Sequence, residues 1–279
     1  MRKIAFLFFV ACILFGAWWF NGHQQFSQAV NQYVENGEFT TLKARYTPEQ
    51  IMDLHKKELL VDSKHSFQEP VLKYHPYLLL EVKYFLPDKK SREGMALWSQ
   101  MDGEMVISTE TWEMSHGFED ALNAGASRTD FKLMQAIAKL KGTTSFEQLQ
   151  KELHLEKETL SLWVDSAVSK QLIVQKGNEL QLHFQDPKIL ILPETKVVDW
   201  LVKKPYNNSQ TVSGQYSANQ ILKNAKSAFG EDFSVRQSTE VFLPVYSLIV
   251  LNPDGSTLTT YWNAITGHRI MPRYSLKGW

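Results

Sequence analysis

Apolar and polar residues alternate with a helical period in the middle of the chain, between residues 127 and 186. Apolar side chains three and four positions apart predict amphipathic helices in this stretch. Gly142 follows the first of them, and the hydroxyl residues Thr144 and Ser145 precede the second, as expected at helix ends. The predicted helices cover residues 128–141, 146–153 and about 157–170.

A strand period takes over directly after the third helix. Residues 172–175 and 179–184 carry alternating apolar side chains on either side of a turn that contains Gly177, which predicts a β-hairpin. Three helices followed by a hairpin resemble the winged helix-turn-helix family, which is best known for placing its third helix in the DNA major groove. The resemblance assigns residues 127–186 to a winged-helix module.

The charge of this module argues against DNA binding. A recognition helix needs Lys and Arg around it to neutralise phosphates, but residues 127–186 contain eight basic and eight acidic side chains. The outer face of the predicted third helix carries Glu158, Ser161 and Asp165, and the hairpin turn carries only Lys176. We therefore expect a structural or protein-contacting role, and nucleic acid is not an expected partner.

The chain begins with an apolar segment. Residues 4–20 contain no charged or strongly polar side chain and follow Arg2 and Lys3. A helix of this length spans roughly 25 Å, close to the roughly 30 Å of a bilayer core. Trp18 and Trp19 lie where an interfacial aromatic belt would be. Positive charge at the short amino end predicts a signal anchor over residues 1–21, with the body outside the cytoplasm.

Three alternatives remain for this segment. A cleaved signal peptide, with small residues Gly16 and Ala17 near the cleavage point, would release a secreted body. A lipoprotein signal is suggested by residues 9–12, which end in Cys12, although the apolar run continues beyond the cysteine. A buried helix of a soluble protein is the third alternative.

A polar segment with an apolar stripe follows and predicts a stalk over residues 22–46, with a helix that ends at Gly37. Thr47 and Pro48 then begin a further helix, since they provide a cap residue and a proline at the first helical position. Beyond this helix a strand-rich run, which we expect Pro76 to interrupt, leads into two shorter strands. The strands are predicted over residues 70–86, 95–100 and 104–107.

The same order of features returns near the carboxyl end, which indicates an internal duplication. Ser217 begins a helix as Thr47 does, and a proline, a tryptophan and a glycine follow in each copy. The spacing from tryptophan to glycine is five residues in both. The two tryptophans are expected to pack in a sheet, and the signature as a whole to be structural or partner-binding. Its members are Tyr74, Pro76, Trp98 and Gly103 in the first copy, and Phe242, Pro244, Trp262 and Gly267 in the second.

The second copy resembles a PepSY-type domain. The resemblance rests on the helix from Ser217, the strand through Pro244 and the closing strand that leads to Thr266 and Gly267, and Asn263 stands where the family more often has Asp. It implies a small helix on an antiparallel sheet, an extracytoplasmic location, a binding or inhibitory role and no catalytic residues of its own. Because both faces of the sheet are largely apolar, we expect the copies to pack together or against the central module.

Composition narrows the functional classes. The chain has 279 residues, 43% of them hydrophobic, and a formal net charge of zero. This size allows more than one core, and the charge gives no global attraction to nucleic acid or acidic membranes. The only cysteine, Cys12, lies in the apolar segment, so the body has neither a disulfide nor thiol chemistry. No glycine-rich phosphate loop or nucleophile-elbow serine is present, and no cofactor is predicted.

One polar cluster could support chemistry. Glu113 and His116 are spaced to face one another over a helical turn, with Glu119 near them. A carboxylate and a histidine can perform acid–base catalysis or bind a metal. The simpler interpretation is a polar linker, so no catalytic and no metal-ligating residue is predicted.

Together these patterns predict an α+β protein, in which an N-terminal membrane helix precedes two small helix-on-antiparallel-sheet units that flank a winged-helix module. The expected function is that of a membrane-anchored, extracytoplasmic binding protein without enzymatic activity and with an unidentified protein partner. A membrane-tethered DNA-binding transcription regulator with a cytoplasmic body is the alternative, and a hydrolase that uses Glu113 and His116 is a third possibility. The predicted segments are an anchor (1–21), a stalk (22–46), the first copy (47–112), a linker (113–126), the winged helix (127–186), a linker (187–212) and the second copy (213–279).

Overall fold

The computed structural model describes residues 37–86, 88–206 and 209–270, which form a mixed α+β structure. The predicted membrane segment and most of the predicted stalk lie outside the described residues. Within the described ranges, no helix is long and apolar enough to cross a membrane.

Seven helices and fourteen strands are found in this described part of the chain. The helices are α1 (Pro48–Leu54), α2 (Lys56–Leu59), α3 (Phe118–Asn123), α4 (Arg128–Lys139), α5 (Phe146–Leu153), α6 (Lys157–Ser169) and α7 (Ala218–Phe229). The strands are β1 (Glu38–Leu42), β2 (Ser66–Phe67), β3 (Val71–Phe85), β4 (Ser91–Ser99), β5 (Met105–Ser108), β6 (Glu113–Met114), β7 (Thr143–Ser145), β8 (Ile173–Lys176), β9 (Glu179–Leu182), β10 (Leu201–Pro205), β11 (Gln210–Thr211), β12 (Ser234–Leu251), β13 (Thr257–Asn263) and β14 (Arg269–Ile270).

One large curled sheet joins the two copies of the repeated pattern. Its main path is β10-β1-β12-β3-β4-β5-β6, and β2, β11, β13 and β14 attach to it. The two longest strands, β3 from the first copy and β12 from the second, form an antiparallel pair in the middle. Each signature aromatic residue faces the signature proline of the other copy, so the pair has an approximate two-fold axis. The register places Tyr74 opposite Pro244, Pro76 opposite Phe242 and His75 opposite Leu243.

The interruption predicted at Pro76 is wrong, because β3 runs without a break from Val71 to Phe85. A proline removes one backbone donor from the ladder. Pro76 lies where the neighbour on one side of β3 changes from β11, which pairs as far as Tyr74, to β4, which pairs from Tyr77. The Pro76 carbonyl accepts a hydrogen bond from Gln100 N at 3.1 Å, and the equivalent Pro244 carbonyl accepts one from Ala264 N at 3.1 Å. Each proline is thereby bonded to the turn that closes its own copy.

The segment that precedes each copy adds a strand to the other copy. Strand β1, which precedes α1, runs parallel to β12 with Thr41 opposite Phe242. Strand β11, which precedes α7, runs parallel to β3 with Thr211 opposite Tyr74. Because Phe242 and Tyr74 are equivalent signature positions, the exchange is reciprocal.

The helices follow their strands into the opposite copy. Ile51 of α1 is fully buried in a cluster that contains Val250 and Trp262 of the second copy. Helix α7 covers the first copy instead, where the Phe229 ring lies 6.3 Å from the Trp98 ring between centroids. Each helix therefore covers the sheet of the other copy.

The closing turn of the second copy, residues 263–267, binds the backbone that leads into α1. The N–H groups of Arg45 and Tyr46 both donate to the Ala264 carbonyl at 2.9 Å. Gly267, with φ of +71°, ends this turn in the left-handed region, and a Cβ at this position would lie 3.4 Å from the Tyr46 ring. Glycine therefore fits the left-handed backbone conformation, whereas the distance to the ring would be an ordinary van der Waals contact for a Cβ.

The closing turn of the first copy, residues 99–103, binds the backbone that leads into α7 in the same way. The N–H groups of Gln215 and Tyr216 donate to the Gln100 carbonyl at 2.8 and 3.0 Å. Gly103 has φ of +70°, and a Cβ there would lie 3.1 Å from Leu122 and 3.3 Å from the Tyr216 ring. The two docking arrangements are thus near-copies of one another.

Residues 127–186 form a unit in the order α4-β7-α5-α6-β8-β9, and the order of its strands is β7-β9-β8. Its helices and hairpin begin and end close to the predicted residues. Lys170 at the end of α6 lies 2.5 Å from the Asp130 carboxylate, which also accepts a hydrogen bond from Ser127 N. Burial opposes ionisation of Asp130, but these hydrogen bonds outweigh it and lower its pKa. Buried residues of this central unit share one apolar cluster with β3, β4 and α7, which agrees with the expected packing of the first copy.

Segments predicted as a stalk and as linkers contribute to the sheet. The predicted stalk ends in β1, which pairs antiparallel with β10 of the second linker. That linker also contains β11, and the first linker contains β6 and α3. These strands have two to five residues, and so few alternations give no recognisable sequence pattern.

Ile51→Ala and Ile221→Ala should each lower the free energy of unfolding by about 2–5 kcal/mol, because each removes a fully buried side chain of an exchanged helix. Leu54→Ala is the matched control on α1, since Leu54 is 66% exposed, and we expect a change within about 0.5 kcal/mol. Denaturant unfolding followed by circular dichroism measures all three. Equal losses for Ile51→Ala and Leu54→Ala would contradict the packing of α1.

Candidate functional site

The two closing turns line one groove of about 800 Å³, which we call the dyad groove. The first copy supplies Ser99 and Asp102, and the second supplies Asn263 and Thr266. His75, at the approximate two-fold axis, lies between the two turns as a further lining residue. Side chains on a strand alternate between faces, so the groove lies on the face of the sheet opposite Trp98 and Trp262.

Aromatic and aliphatic side chains form much of the groove wall. Tyr77 and Trp112 meet edge to face with ring centroids 5.5 Å apart, and Met114, Tyr261 and Ile270 line the groove with them. The Tyr77 side chain is also hydrogen-bonded to Ser99 and Trp112. Burial, together with the charge of Asp102, raises the pKa of Tyr77, so its hydroxyl is neutral at physiological pH.

Asn263 lines the groove and has a side-chain donor that none of the described residues uses. Its side chain is 1% exposed, and its Oδ1 accepts hydrogen bonds from Ile265 N at 2.8 Å and Thr266 N at 3.4 Å. These two contacts fix the orientation of the amide. Its Nδ2 has no hydrogen-bond partner in the described part of the chain. A buried donor without an acceptor is costly, and it is uncommon in folded proteins.

Charged groups also line the groove. Lys73 and Arg269 are cations, and Asp102 is the one carboxylate among the lining residues that the structure describes. Arg269 has an ion pair with Glu58 at the long distance of 3.9 Å. Burial, with a smaller contribution from Lys73, lowers the pKa of His75 to about 4, so this histidine is neutral at pH 7.

No protein-family model, curated protein or solved structure matches this chain.

The eight signature residues build the groove, and none of them lines it. Trp98 and Trp262 are buried, with exposures of 0% and 1%, and belong to apolar clusters beneath the helices. The remaining signature residues lie in the central strand pair or end the closing turns. They are Tyr74, Pro76, Phe242 and Pro244 in the strands, and Gly103 and Gly267 in the turns. The repeated pattern thus marks the framework of the groove, and the residues that line the groove lie beside it.

The polar cluster expected from the sequence has its contacts elsewhere. Glu113 lies 2.8 Å from Lys188 Nζ, and His116 Nδ1 lies 3.2 Å from the carbonyl oxygen of Asp186. Glu119 accepts a hydrogen bond from the Tyr216 hydroxyl at 3.4 Å. These contacts tie the segment to the second linker and to the entry of α7. No group of three His, Cys, Asp or Glu side chains suited to a metal ion occurs among the described residues.

Sequence reasoning missed a buried carboxylate beside this cluster. Glu104 is fully buried and accepts hydrogen bonds from Gly117 N at 2.9 Å and Glu119 N at 3.1 Å, while the Ser115 hydroxyl donates at 2.5 Å. Burial raises the pKa of Glu104, although these hydrogen bonds act in the opposite direction. Glu104 binds the backbone at the start of α3 and so holds the segment beside the first closing turn. Its position directly after Gly103 was the available signal.

The NMR titration of His75 should have its midpoint at about 4. The unfolded chain binds this proton near pH 6.5. Above that pH His75 is unprotonated in both the folded and the unfolded state. As the pH falls toward 4, the free energy of unfolding decreases by up to about 3 kcal/mol, because the unfolded state takes up the proton first. We expect His75→Gln to lack this part of the pH dependence, which denaturant unfolding at pH 7 and pH 4.5 measures. Identical pH profiles for the two proteins would contradict the lowered pKa.

Proposed function

We propose that this chain is a membrane-anchored, extracytoplasmic binding protein without catalytic activity. In this proposal two PepSY-like copies form one ligand groove, and the central unit, used as a winged helix, contacts a protein partner through α6. The observation that carries the proposal is the dyad groove itself, in which equivalent turns of both copies meet beside a buried amide whose Nδ2 has no partner among the described residues.

The groove has the properties of a binding site. Its volume of about 800 Å³ lies in the range of small-molecule sites, and apolar walls with few fixed polar groups are typical of them. The contacts of Glu113 and His116 with Lys188 and Asp186 give no support to a paired acid and base. These features favour recognition over chemistry.

The exposed side of α6 supports a protein contact. Glu158 and Asp165 are exposed, and Leu162 between them is 70% exposed. Carboxylates on this helix would repel phosphates, whereas an exposed leucine with a charged border suits a protein interface. The alternative of a DNA-binding regulator is therefore the less favoured function.

The proposed membrane anchoring is supported by the sequence of residues 1–21, which lie outside the described residues. An apolar segment behind Arg2 and Lys3, with Trp18 and Trp19 near its end, is typical of a signal anchor. The resemblance of the second copy to PepSY domains agrees with an extracytoplasmic body.

A topology reporter fused after Trp279 should lie outside the cytoplasm, and the mature chain should keep its full length. Arg2→Glu combined with Lys3→Glu is the matched control, because removing the positive amino end should reduce the fraction with this orientation. Protease accessibility and the size of the chain on the same gel measure both properties. A cytoplasmic carboxyl end would contradict the proposed address, and a shortened external chain would show a cleaved signal.

A photo-crosslinking side chain in place of Leu162 should give a discrete protein adduct in intact cells. The same group in place of Val61, which is 81% exposed on a loop, serves as the control and should give none. The purified chain should also fail to retain a DNA duplex at low salt, where phosphate contacts are strongest. If the chain retained the duplex and Lys157→Glu abolished this retention, the result would favour the DNA-binding regulator and contradict the protein-contact proposal.

A further inference from the structure

We propose that the dyad groove binds a carboxylate carried on an apolar group. In this arrangement the carboxylate accepts a hydrogen bond from Asn263 Nδ2, and the apolar group lies against Trp112 and Tyr261. This inference rests on the proposed binding role of the groove, but not on the topology or on the contact through α6.

The Nδ2 atom of Asn263 calls for an acceptor. Asn263 is almost fully buried, and two backbone donors, Ile265 N and Thr266 N, already occupy its Oδ1. Only its Nδ2 is left without a partner in the described ranges, and this atom can only donate. A ligand that brings an oxygen to this end of the groove would satisfy it.

The charges around the groove favour a single negative charge on that ligand. Besides the histidines, the lining residues include two cations, Lys73 and Arg269, and one carboxylate, Asp102. Glu58, 3.9 Å from Arg269, balances part of this excess, so the groove suits at most one negative charge, and a dianion such as a phosphate monoester would exceed it. Hydrogen bonds to an ionised acceptor are also the stronger kind.

The walls require an apolar group next to the charge. Tyr77, Trp112, Met114, Tyr261 and Ile270 present aromatic and aliphatic surface to the groove. Burying such surface against a ligand is favourable in proportion to its apolar area. A carboxylate without an apolar group would leave these walls in contact with water.

The two turns differ in a way that would orient the ligand. Ser99 occupies the position equivalent to Asn263, and its hydroxyl oxygen accepts hydrogen bonds from Met101 N at 3.2 Å and Asp102 N at 3.3 Å. The amide of Asn263 performs the same function for its own turn with Oδ1 and has a second polar atom to spare. The approximate two-fold symmetry is therefore broken, and the carboxylate should lie at the second turn.

Calorimetry on the full chain in lipid nanodiscs tests this assignment. Two carboxylates serve as probes, 3-phenylpropionate and N-acetylleucylphenylalanine, and empty nanodiscs provide the blank. N-acetylleucylphenylalanine amide is the matched neutral probe, and 2-phenylethyl phosphate is the dianion. We expect saturable binding of at least one carboxylate, with roughly tenfold or greater loss for the amide and for the phosphate, about the effect of one charge-assisted hydrogen bond.

Asn263→Asp is the decisive variant. It keeps the oxygen that accepts from Ile265 N and Thr266 N, but it replaces the free donor by a second acceptor. Arg269→Gln changes an exposed side chain and keeps the test valid if Asn263→Asp does not fold. Lys203→Gln removes an exposed lysine on β10, away from the groove, and is the matched control. We expect both groove variants to weaken carboxylate binding roughly tenfold, and the control to bind as the unaltered chain does.

The source of the carboxylate follows from the two probes. Preference for the dipeptide would identify the carboxyl end of a peptide, and preference for 3-phenylpropionate would identify a free acid. The carboxylate assignment would be overturned if neither probe bound saturably, if the amide or the phosphate bound as tightly, or if the folded groove variants bound normally. Failure here would leave the topology and the contact through α6 to be decided by their own tests.

Discussion

Backbone hydrogen bonds between β3 and β12 hold the two halves of the chain in a single register, and the positions of the helices, turns and groove depend on that register. Because side chains alternate along a strand, a slip of one residue between β3 and β12 would turn the faces of one half over relative to the other half. Trp98 and Trp262 would then no longer lie on the same face, and the two closing turns could no longer line one groove. The many apolar residues buried on the helix-covered face oppose such a slip.

Reciprocal exchange makes the two copies into one body. Each closing turn accepts two backbone hydrogen bonds from the segment that enters the other copy's helix. The left-handed glycines Gly103 and Gly267 let an aromatic ring pack against each turn. The groove belongs to neither copy alone, since it needs Ser99 from one turn and Asn263 from the other. A site built across such a junction can take on asymmetry from a single residue difference between the copies.

Sequence patterns predicted the parts of this structure that depend on local contacts. The helices and hairpin of the central unit follow from apolar periods, from the hydroxyl residues Thr144 and Ser145 and from turn residues, all of which act within a few residues. The alignment of Pro76 with Pro244 and of Trp98 with Trp262 placed the equivalent positions of the two copies. It did not predict how the copies are joined.

What the sequence did not reveal depends on residues far apart in the chain. Strands β1 and β11 are short and exist because a distant long strand pairs with them, so no local period marks them. The groove brings Trp112 from a predicted linker beside Tyr77, and it contains an amide whose spare donor shows only once its other contacts are known. Glu113 and His116 had suitable spacing for a helix, but Glu113 lies in a short strand and His116 forms an isolated β-bridge with Lys188 instead.

The exchange of helices has a consequence for the order in which the chain can acquire its structure during synthesis. Helix α1 is made early, yet the side chains that bury Ile51, including Trp262, emerge some two hundred residues later. The central unit has no such delay, because α4, α5, α6 and the hairpin contact one another over short separations, and such local structure forms fastest. The first copy must therefore complete its packing late, after α7 has been made, although the central unit can cover part of β3 and β4 before then.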